Sequence, residues 1–264
     1  MQNLNSLINA YIVVIALLTI VIPTVGFLFI RRNIGTLVIG NLLIEVGKYV
    51  SLINTLIHEV FHCLCAWITG GKAHSISLHH DTSGLATTST SSRFARILVG
   101  YGGYTGSSVM AVVFFYLLSQ HQYNYILYIF SGFLVVGLLV WTKNFFSVFK
   151  DSLVSLFKFR IYKGNTNLFG LVWSLCVSGY MFWILYTGQP NLIMHTSICI
   201  SVIVLLESVK TAFVIFIISA KNRKDAGDAT SLARDTFIPA LVWGVVFFGQ
   251  SIYVGLYIFK HYLI

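Results

Sequence analysis

Long apolar stretches alternate with short polar segments along the whole chain. Seven of these stretches are long enough to form helices that cross a lipid bilayer, which takes about 20 residues. They are Leu7 to Ile30, Thr36 to Thr69, Phe94 to Leu118, Tyr125 to Trp141, Leu168 to Thr187, Leu192 to Ser219 and Phe237 to Phe259. The pattern predicts an all-α polytopic membrane protein with six or seven transmembrane helices, which form a single domain over residues 1–264.

The segment between the second and third stretches has a different pattern. Residues 73–90 contain a short run with polar and apolar positions, a turn-like Asp81-Thr82-Ser83-Gly84 and a run rich in β-branched Thr. This combination predicts a short β-hairpin. We expect the hairpin to lie at the membrane surface, directly after the helix over residues 36–69.

The segment Phe145 to Phe159 is apolar but is interrupted by Lys150, Asp151 and Lys158. We interpret it as an amphipathic helix in the membrane interface rather than as a further span.

The distribution of Lys and Arg predicts the orientation of the chain. Basic residues cluster in the loops over residues 143–163 and 221–234, which the positive-inside rule places in the cytoplasm. Counting back across two spans places residues 72–96 on the same side. Arg31 and Arg32 disagree if residues 36–69 cross the membrane once. Either that segment is broken or re-entrant, or the rule fails locally.

Composition excludes a soluble globular protein. Of the 264 residues, 57% are hydrophobic and 9% are charged, whereas roughly 25% are charged in soluble domains. The net charge of +9 comes from the loop clusters and not from one basic face, so we expect no nucleic-acid partner. The four cysteines lie in apolar stretches, and we expect reduced thiols. The predicted location is the cell membrane, as a multi-pass protein surrounded by the lipid bilayer.

Two pairs of opposite charges lie within apolar stretches. Glu45 and Lys48 are three residues apart, and so are Glu207 and Lys210. Each pair shares one helix face, and we expect the two members to neutralise each other. The spacings of Gly100, Gly102, Gly103 and Gly106 predict a close approach between two helices.

The sequence His58-Glu59-Val60-Phe61-His62 is an HExxH motif within an apolar helical segment. Residues i and i+4 share one helix face, so both imidazoles can bind one Zn²⁺ while Glu59 projects beside it. A catalytic zinc takes three protein ligands and a water whose pKa falls to about 7, and a nearby carboxylate accepts the proton of that water. The motif predicts His58 and His62 as ligands, Glu59 as the base, and hydrolysis of an amide bond. The alternative is a structural pair of histidines with Glu59 as a salt-bridge partner.

A third ligand has to come from another part of the chain. His62 lies eight residues before Gly70, which places the site about 12 Å from the cytoplasmic end of its helix. Asp228 lies in a cytoplasmic stretch and reaches this site without crossing the bilayer, so we prefer it, with Asp225 second. Asp228 is also suited to be a helix N-cap. The other candidates are Asp235 and the hairpin residues His74, His79, His80 and Asp81.

Four segments of the chain resemble the B-like branch of the M-fifty peptidases, within the site-2 protease superfamily. They are HEVFHCLCAWITGGKAHSISLHHDTSGLATTS, GYGGYTGS, NLFGLVW and GDATSLARDTFIPALVW. The resemblance implies a zinc site from His58 and His62, catalysis by Glu59, and a carboxylate ligand that maps best onto Asp228. It also implies that the hairpin presents a strand edge to an extended substrate. The Asn-Pro-x-Pro and Leu-Asp-Gly signatures of well-characterised site-2 proteases are absent from this sequence.

The leading hypothesis is therefore an intramembrane zinc metalloendopeptidase that acts on a membrane protein or peptide substrate. One alternative is a non-proteolytic zinc-binding scaffold or chaperone, which needs the metal but not the carboxylate of Glu59. Another is an ion-coupled transporter, which predicts internal repeats that we do not find. The sequence gives no indication of the oligomeric state or of the identity of the substrate.

Overall fold

A computed structural model describes residues 2–21, 34–157 and 168–264 of the chain. The helices are α1 (Gln2–Ala16), α2 (Ile34–Ile68), α3 (Arg93–Ser119), α4 (Tyr123–Phe157), α5 (Leu168–Thr187), α6 (Pro190–Lys221), α7 (Gly227–Thr236) and α8 (Ala240–Ile258). Helices α1 and α8 continue as π-helical turns over Leu17–Val21 and Phe259–Leu263. Two strands, β1 (Lys72–Leu78) and β2 (Gly84–Ser89), connect α2 to α3.

Seven helices in the described part of the chain are long and apolar enough to cross a membrane. Their candidate spans are Leu4–Val21, Leu43–Ile68, Arg93–Ser119, Tyr123–Trp141, Phe169–Thr187, Pro190–Lys221 and Ala240–Leu263. The predicted fold class, an all-α polytopic membrane protein with one small hairpin, is confirmed. The part of the predicted first span after Val21 lies outside the described residues.

Helix α2 is continuous from Ile34 to Ile68. Of the two alternatives that the sequence left open, a broken segment does not agree with this helix, and a local failure of the positive-inside rule does. Arg31 and Arg32 themselves lie outside the described residues. The predicted amphipathic segment is the continuation of α4 as far as Phe157, so it is not a separate helix, and its interfacial position stays a prediction.

Close packing of α2 against α3 depends on glycine. A Cβ at Gly106 would lie 2.0 Å from the Phe61 ring, and one at Gly103 would lie 2.5 Å from Cε1 of His58. The two helices can approach this closely only because α3 presents no side chain at these positions. The predicted glycine contact is confirmed, and it brings the backbone of α3 directly against the histidines of α2.

The two strands form an antiparallel hairpin that folds back along α2. Leu78 pairs with Gly84 next to the turn. The Thr55 hydroxyl donates a hydrogen bond to the Thr82 carbonyl oxygen at 3.0 Å. Thr55 precedes Ile68, the last residue of α2, by 13 residues, so the turn lies about 20 Å along α2 from that end.

The hairpin therefore enters the helix bundle, whereas we expected it to lie across the membrane surface. The physical reason is the apolar face of β1. Ile76 and Leu78 are each only 2% exposed and belong to the main hydrophobic core. A strand at the surface would leave these side chains unpacked.

The two predicted charge pairs are confirmed. Lys48 Nζ lies 2.8 Å from Glu45 Oε1, and Lys210 Nζ lies 2.5 Å from Glu207 Oε1. Glu207 is 1% exposed, and Lys210 also donates to Ser51 Oγ at 3.3 Å. The second pair therefore joins α6 to α2 inside the bundle. All four cysteines are free thiols, as predicted.

Candidate metal centre

Three side chains from two distant parts of the chain meet near one end of the bundle. His58 and His62 lie one turn apart on α2, and their Nε2 atoms are 3.0 Å apart. Asp228 Oδ2, from α7, lies 3.1 Å from His58 Nε2 and 3.2 Å from His62 Nε2. The three residues form a His-His-Asp cluster whose ligand atoms all lie within 4.8 Å of one another. This cluster has the composition and spacing of a metal site.

The position of Asp228 depends on how α7 is held against α3. The helix begins at Gly227, whose φ of +48° is in the left-handed region that favours glycine. Its N-cap is Ala226, and Asp228 lies in the first turn, so the N-cap role considered for Asp228 is wrong. Leu232 packs against Gly100 of α3 and is 1% exposed. A well-packed helix that does not itself span the bilayer thus carries the carboxylate to the histidines.

The cluster is largely shielded from solvent. The side chains of His58, His62 and Asp228 are 15%, 8% and 25% exposed. Partial burial raises the pKa of the Asp228 carboxyl, but the adjacent His62 and His58 rings lower it by more, so its pKa lies well below its usual range. Asp228 is therefore ionised at neutral pH, as a carboxylate ligand has to be.

A backbone carbonyl orients one of the two imidazoles. His62 Nδ1 lies 2.6 Å from the Val99 carbonyl oxygen of α3. A carbonyl oxygen only accepts, so Nδ1 carries a proton, and Nε2 is the ring nitrogen that faces the cluster and is left to bind a metal. Metal-binding histidines are commonly held in this way by their second ring nitrogen.

Glu59 contacts the hairpin and is 5% exposed. The backbone N–H of Ala86 on β2 donates a hydrogen bond to its carboxylate. Gly84 of β2 lies against the same side chain, since a Cβ at Gly84 would be 2.4 Å from Glu59 Oε1. The carboxylate next to His58 is therefore held by a strand and not by another helix.

The structure places the other candidate ligands away from the cluster. Among the described residues, only His58, His62 and Asp228 form a group of metal-binding type. The remaining candidates have their own contacts: Asp225 with Asn222, Asp235 with Arg96, His74 with Ser89, His80 with Glu45, Asp81 with Ser83, and the backbone N–H of His79 with Ser83.

Several groups that contact these residues were not predicted from the sequence. The Val99 carbonyl and the Ala86 N–H are backbone groups, which the identity of the residue does not reveal. Gly84 was noted only as part of a turn. Tyr104 lies within the motif GYGGYTGS, and its ring meets the His58 ring edge-on with the centroids 4.6 Å apart. The one indication in the sequence was that Tyr104 directly follows Gly103, a glycine of the predicted helix contact. In the structure Gly103 lies against both histidines.

Comparison with known proteins identifies one family. The family model described as Peptidase M50B-like matches residues 11–163 and 153–257 of the chain. No curated protein and no solved structure matches the chain.

Proposed function

The chain belongs to the Peptidase M50B-like family, and we propose that it is an intramembrane zinc metalloendopeptidase. Its substrates would be membrane proteins, which it would cleave in or near their transmembrane segments. The observation that carries this proposal is the convergence of His58, His62 and Asp228, together with the buried carboxylate of Glu59, which interacts electrostatically with all three.

The donor atoms of the cluster suit Zn²⁺. Ligand atoms at 2.0 to 2.1 Å from a tetrahedral zinc are about 3.3 Å from one another. The three donor atoms of this cluster are 3.0, 3.1 and 3.2 Å apart. Two imidazole nitrogens and one carboxylate oxygen are also a common donor set of catalytic zinc sites, which keep one position for water.

Bound Zn²⁺ would supply Lewis acidity and would lower the pKa of a water molecule towards neutrality. Glu59 is suited to accept the proton of that water, since its carboxylate is held next to His58. The N–H of Ala86 limits the rotation of this carboxylate. The Val99 carbonyl fixes the tautomer of His62 and so directs Nε2 at the cluster. These contacts supply a base and two ligands that need little rearrangement before reaction.

The hairpin is suited to bind an extended substrate. The backbone N–H of Ala86 interacts with Glu59, and β2 pairs with no strand other than β1 among the described residues, so its second edge is suited to lie beside the reacting groups. A peptide segment that adds to this edge would lie beside the base, in an unwound conformation that exposes its peptide bonds.

Replacement of Glu59 by Gln tests this proposal. Membranes from cells that express the wild type, Glu59→Gln or the control Glu45→Gln would be compared by labelling and sequencing of new protein N-termini. Glu45 lies on the same helix but pairs with Lys48 and His80. We expect new termini within or near transmembrane segments in the wild type and the control, and none with Glu59→Gln.

Zinc content of the purified proteins separates the alternatives. We expect about one zinc per chain in all three proteins, because Gln at position 59 leaves the ligands intact. Identical termini in the wild type and Glu59→Gln, or a wild type that binds no zinc under metal-replete conditions, would refute the proposal. A scaffold or a transporter would keep its activity in Glu59→Gln.

A further inference from the structure

A buried tyrosine lies against the cluster and has no role in the chemistry described so far. Tyr104 of α3 is 7% exposed. Its ring meets His58 at an interplanar angle of 80° and stacks on Phe247 of α8, with a centroid distance of 4.4 Å. These two contacts hold the phenol ring in place on the side of His58 that faces α7 and α8.

The hydroxyl of Tyr104 has no hydrogen-bond partner among the residues that the structure describes. Tyr101, one turn earlier on α3, in contrast donates a hydrogen bond to Gln250 Oε1 at 2.6 Å. The charged groups that act electrostatically on the Tyr104 hydroxyl are the carboxylates of Asp228 and Glu59. The hydroxyl is therefore a donor without a partner among the described residues, on a ring that packs against His58 of the cluster.

Two nearby donors are already used in other contacts. The Ala86 N–H is bonded to Glu59, and His62 Nδ1–H is bonded to the Val99 carbonyl. Hydrolysis of a peptide bond also needs a donor for the carbonyl oxygen, because negative charge develops there. Tyr104 approaches the cluster from the α8 side, while Glu59 is held by the hairpin, so donor and base come from different elements of the fold.

We propose that Tyr104 is a catalytic residue whose hydroxyl donates a hydrogen bond to the carbonyl oxygen of the scissile peptide bond. This inference rests on the proposed function. As the water oxygen bonds to the carbonyl carbon, its proton passes to Glu59 and the π electrons of the C=O bond move to the oxygen beside Tyr104. When the C–N bond breaks, these electrons return and the proton passes from Glu59 to the leaving amine. Tyr104 keeps its own proton throughout.

The variants Tyr104→Phe and Tyr101→Phe test this role, because each removes one hydroxyl from the same helix and keeps the ring. The substrate is a quenched fluorescent peptide that spans a cleavage site found by comparison of the wild type with Glu59→Gln. We expect Tyr104→Phe to lower kcat about 100-fold, which is the usual loss for one such donor, with KM changed less than threefold. Tyr101→Phe should keep kcat within about twofold of the wild type, because its hydroxyl is bonded elsewhere.

Four further measurements distinguish donation from a structural role. Tyr104→Phe should keep the zinc affinity of the wild type and the visible spectrum of its Co²⁺-substituted form, since the His58 ring stays packed. A phosphinic analogue of the peptide, which mimics the tetrahedral species, should bind Tyr104→Phe more weakly by a factor similar to the loss in kcat. The melting temperature of Tyr104→Phe should stay close to that of the wild type, because the hydroxyl makes no hydrogen bond to the described residues that its loss would break.

The possible outcomes separate this inference from the proposed function. If the wild type is active, Glu59→Gln is inactive and Tyr104→Phe is as active as the wild type, the inference is overturned and the protease remains. A changed Co²⁺ spectrum or weakened zinc binding in Tyr104→Phe would also overturn it, in favour of a role in positioning His58. A wild type without Glu59-dependent cleavage would overturn both.

Discussion

A methyl group added at Gly84 should displace the base without touching the ligands. Gly84 lies on β2, and a Cβ there would be 2.4 Å from Glu59 Oε1 and 2.7 Å from Glu59 Cδ. Gly84 is not among the glycines with positive φ, so alanine strains the backbone little and acts through this contact alone. The variant Gly84→Ala therefore tests whether the hairpin sets the position of the carboxylate.

The structure gives the size of the effect. Restoring an ordinary contact of about 3.4 Å requires a displacement of about 1 Å, and a misplacement of this size in a reacting group costs about 100-fold in rate. We expect kcat of Gly84→Ala for the quenched peptide to fall by about this factor. Zinc content should equal that of the wild type, because the ligand atoms belong to His58, His62 and Asp228.

The control is Gly132→Ala on α4, where an added Cβ has no atom within 4 Å. It should keep the activity of the wild type. A Gly84→Ala protein that cleaves the peptide within threefold of the wild-type rate would refute the reasoning, since the hairpin would then not hold the base. Loss of zinc from Gly84→Ala would refute it in a different way, by tying the hairpin to the ligands.

Three further predictions concern the metal, the helix that carries the carboxylate, and the buried ion pair. Asp228→Ala should weaken zinc binding by more than about 100-fold in a chelator competition. Loss of a residue that only contacts a metal ligand already lowers metal affinity by about 10 to 100-fold, and Asp228 is proposed to bind the metal itself. Equal affinity would exclude Asp228 as a ligand. Arg96→Asp should weaken zinc binding about threefold, because Arg96 pairs with Asp235 on the helix that carries Asp228 and a half-exposed pair contributes less than about 1 kcal/mol. The double reversal with Asp235→Arg should restore the zinc affinity. Lys210→Met should lower the free energy of unfolding by about 3 kcal/mol in a denaturant titration, because Glu207 stays buried without a partner; the double variant with Glu207→Gln should recover most of this loss.

The helices could be predicted from the sequence because few backbone structures can cross a bilayer. Each apolar stretch has to satisfy its own backbone hydrogen bonds, and a helix of about 20 residues does so. The positive-inside rule was less informative about residues 36–69. It left open either a broken or re-entrant segment or a local failure of the rule, and α2 is continuous there. The position of the hairpin could not be predicted, because it depends on the room that α4 leaves for Ile76 and Leu78 and not on the pattern of β1 itself.

The site, too, could be predicted only in part. The spacing of His58 and His62 places both rings on one helix face, so their proximity follows from the sequence alone. Asp228 lies 166 residues after His62, and the argument from membrane sides was sufficient to prefer it over the other candidates near the same face. The groups that orient these side chains, namely the Val99 carbonyl and the Ala86 N–H, are present in every residue, so only the fold distinguishes them. The roles of the three ligands and of Glu59 stay predictions.

The entry of the hairpin into the bundle has a physical explanation in the chemistry of the bilayer. Within a transmembrane helix, nearly every backbone N–H is bonded to a carbonyl one turn away, so helices alone offer no free donors at the depth of the cluster. The unpaired edge of β2 supplies such donors, and one of them, the Ala86 N–H, is bonded to Glu59. Irregular backbone is tolerated at this depth only where protein surrounds it, and the buried face of β1 meets that condition. A hairpin at the surface would satisfy its own hydrogen bonds equally well but would place no strand beside Glu59 and no strand edge beside the proposed site.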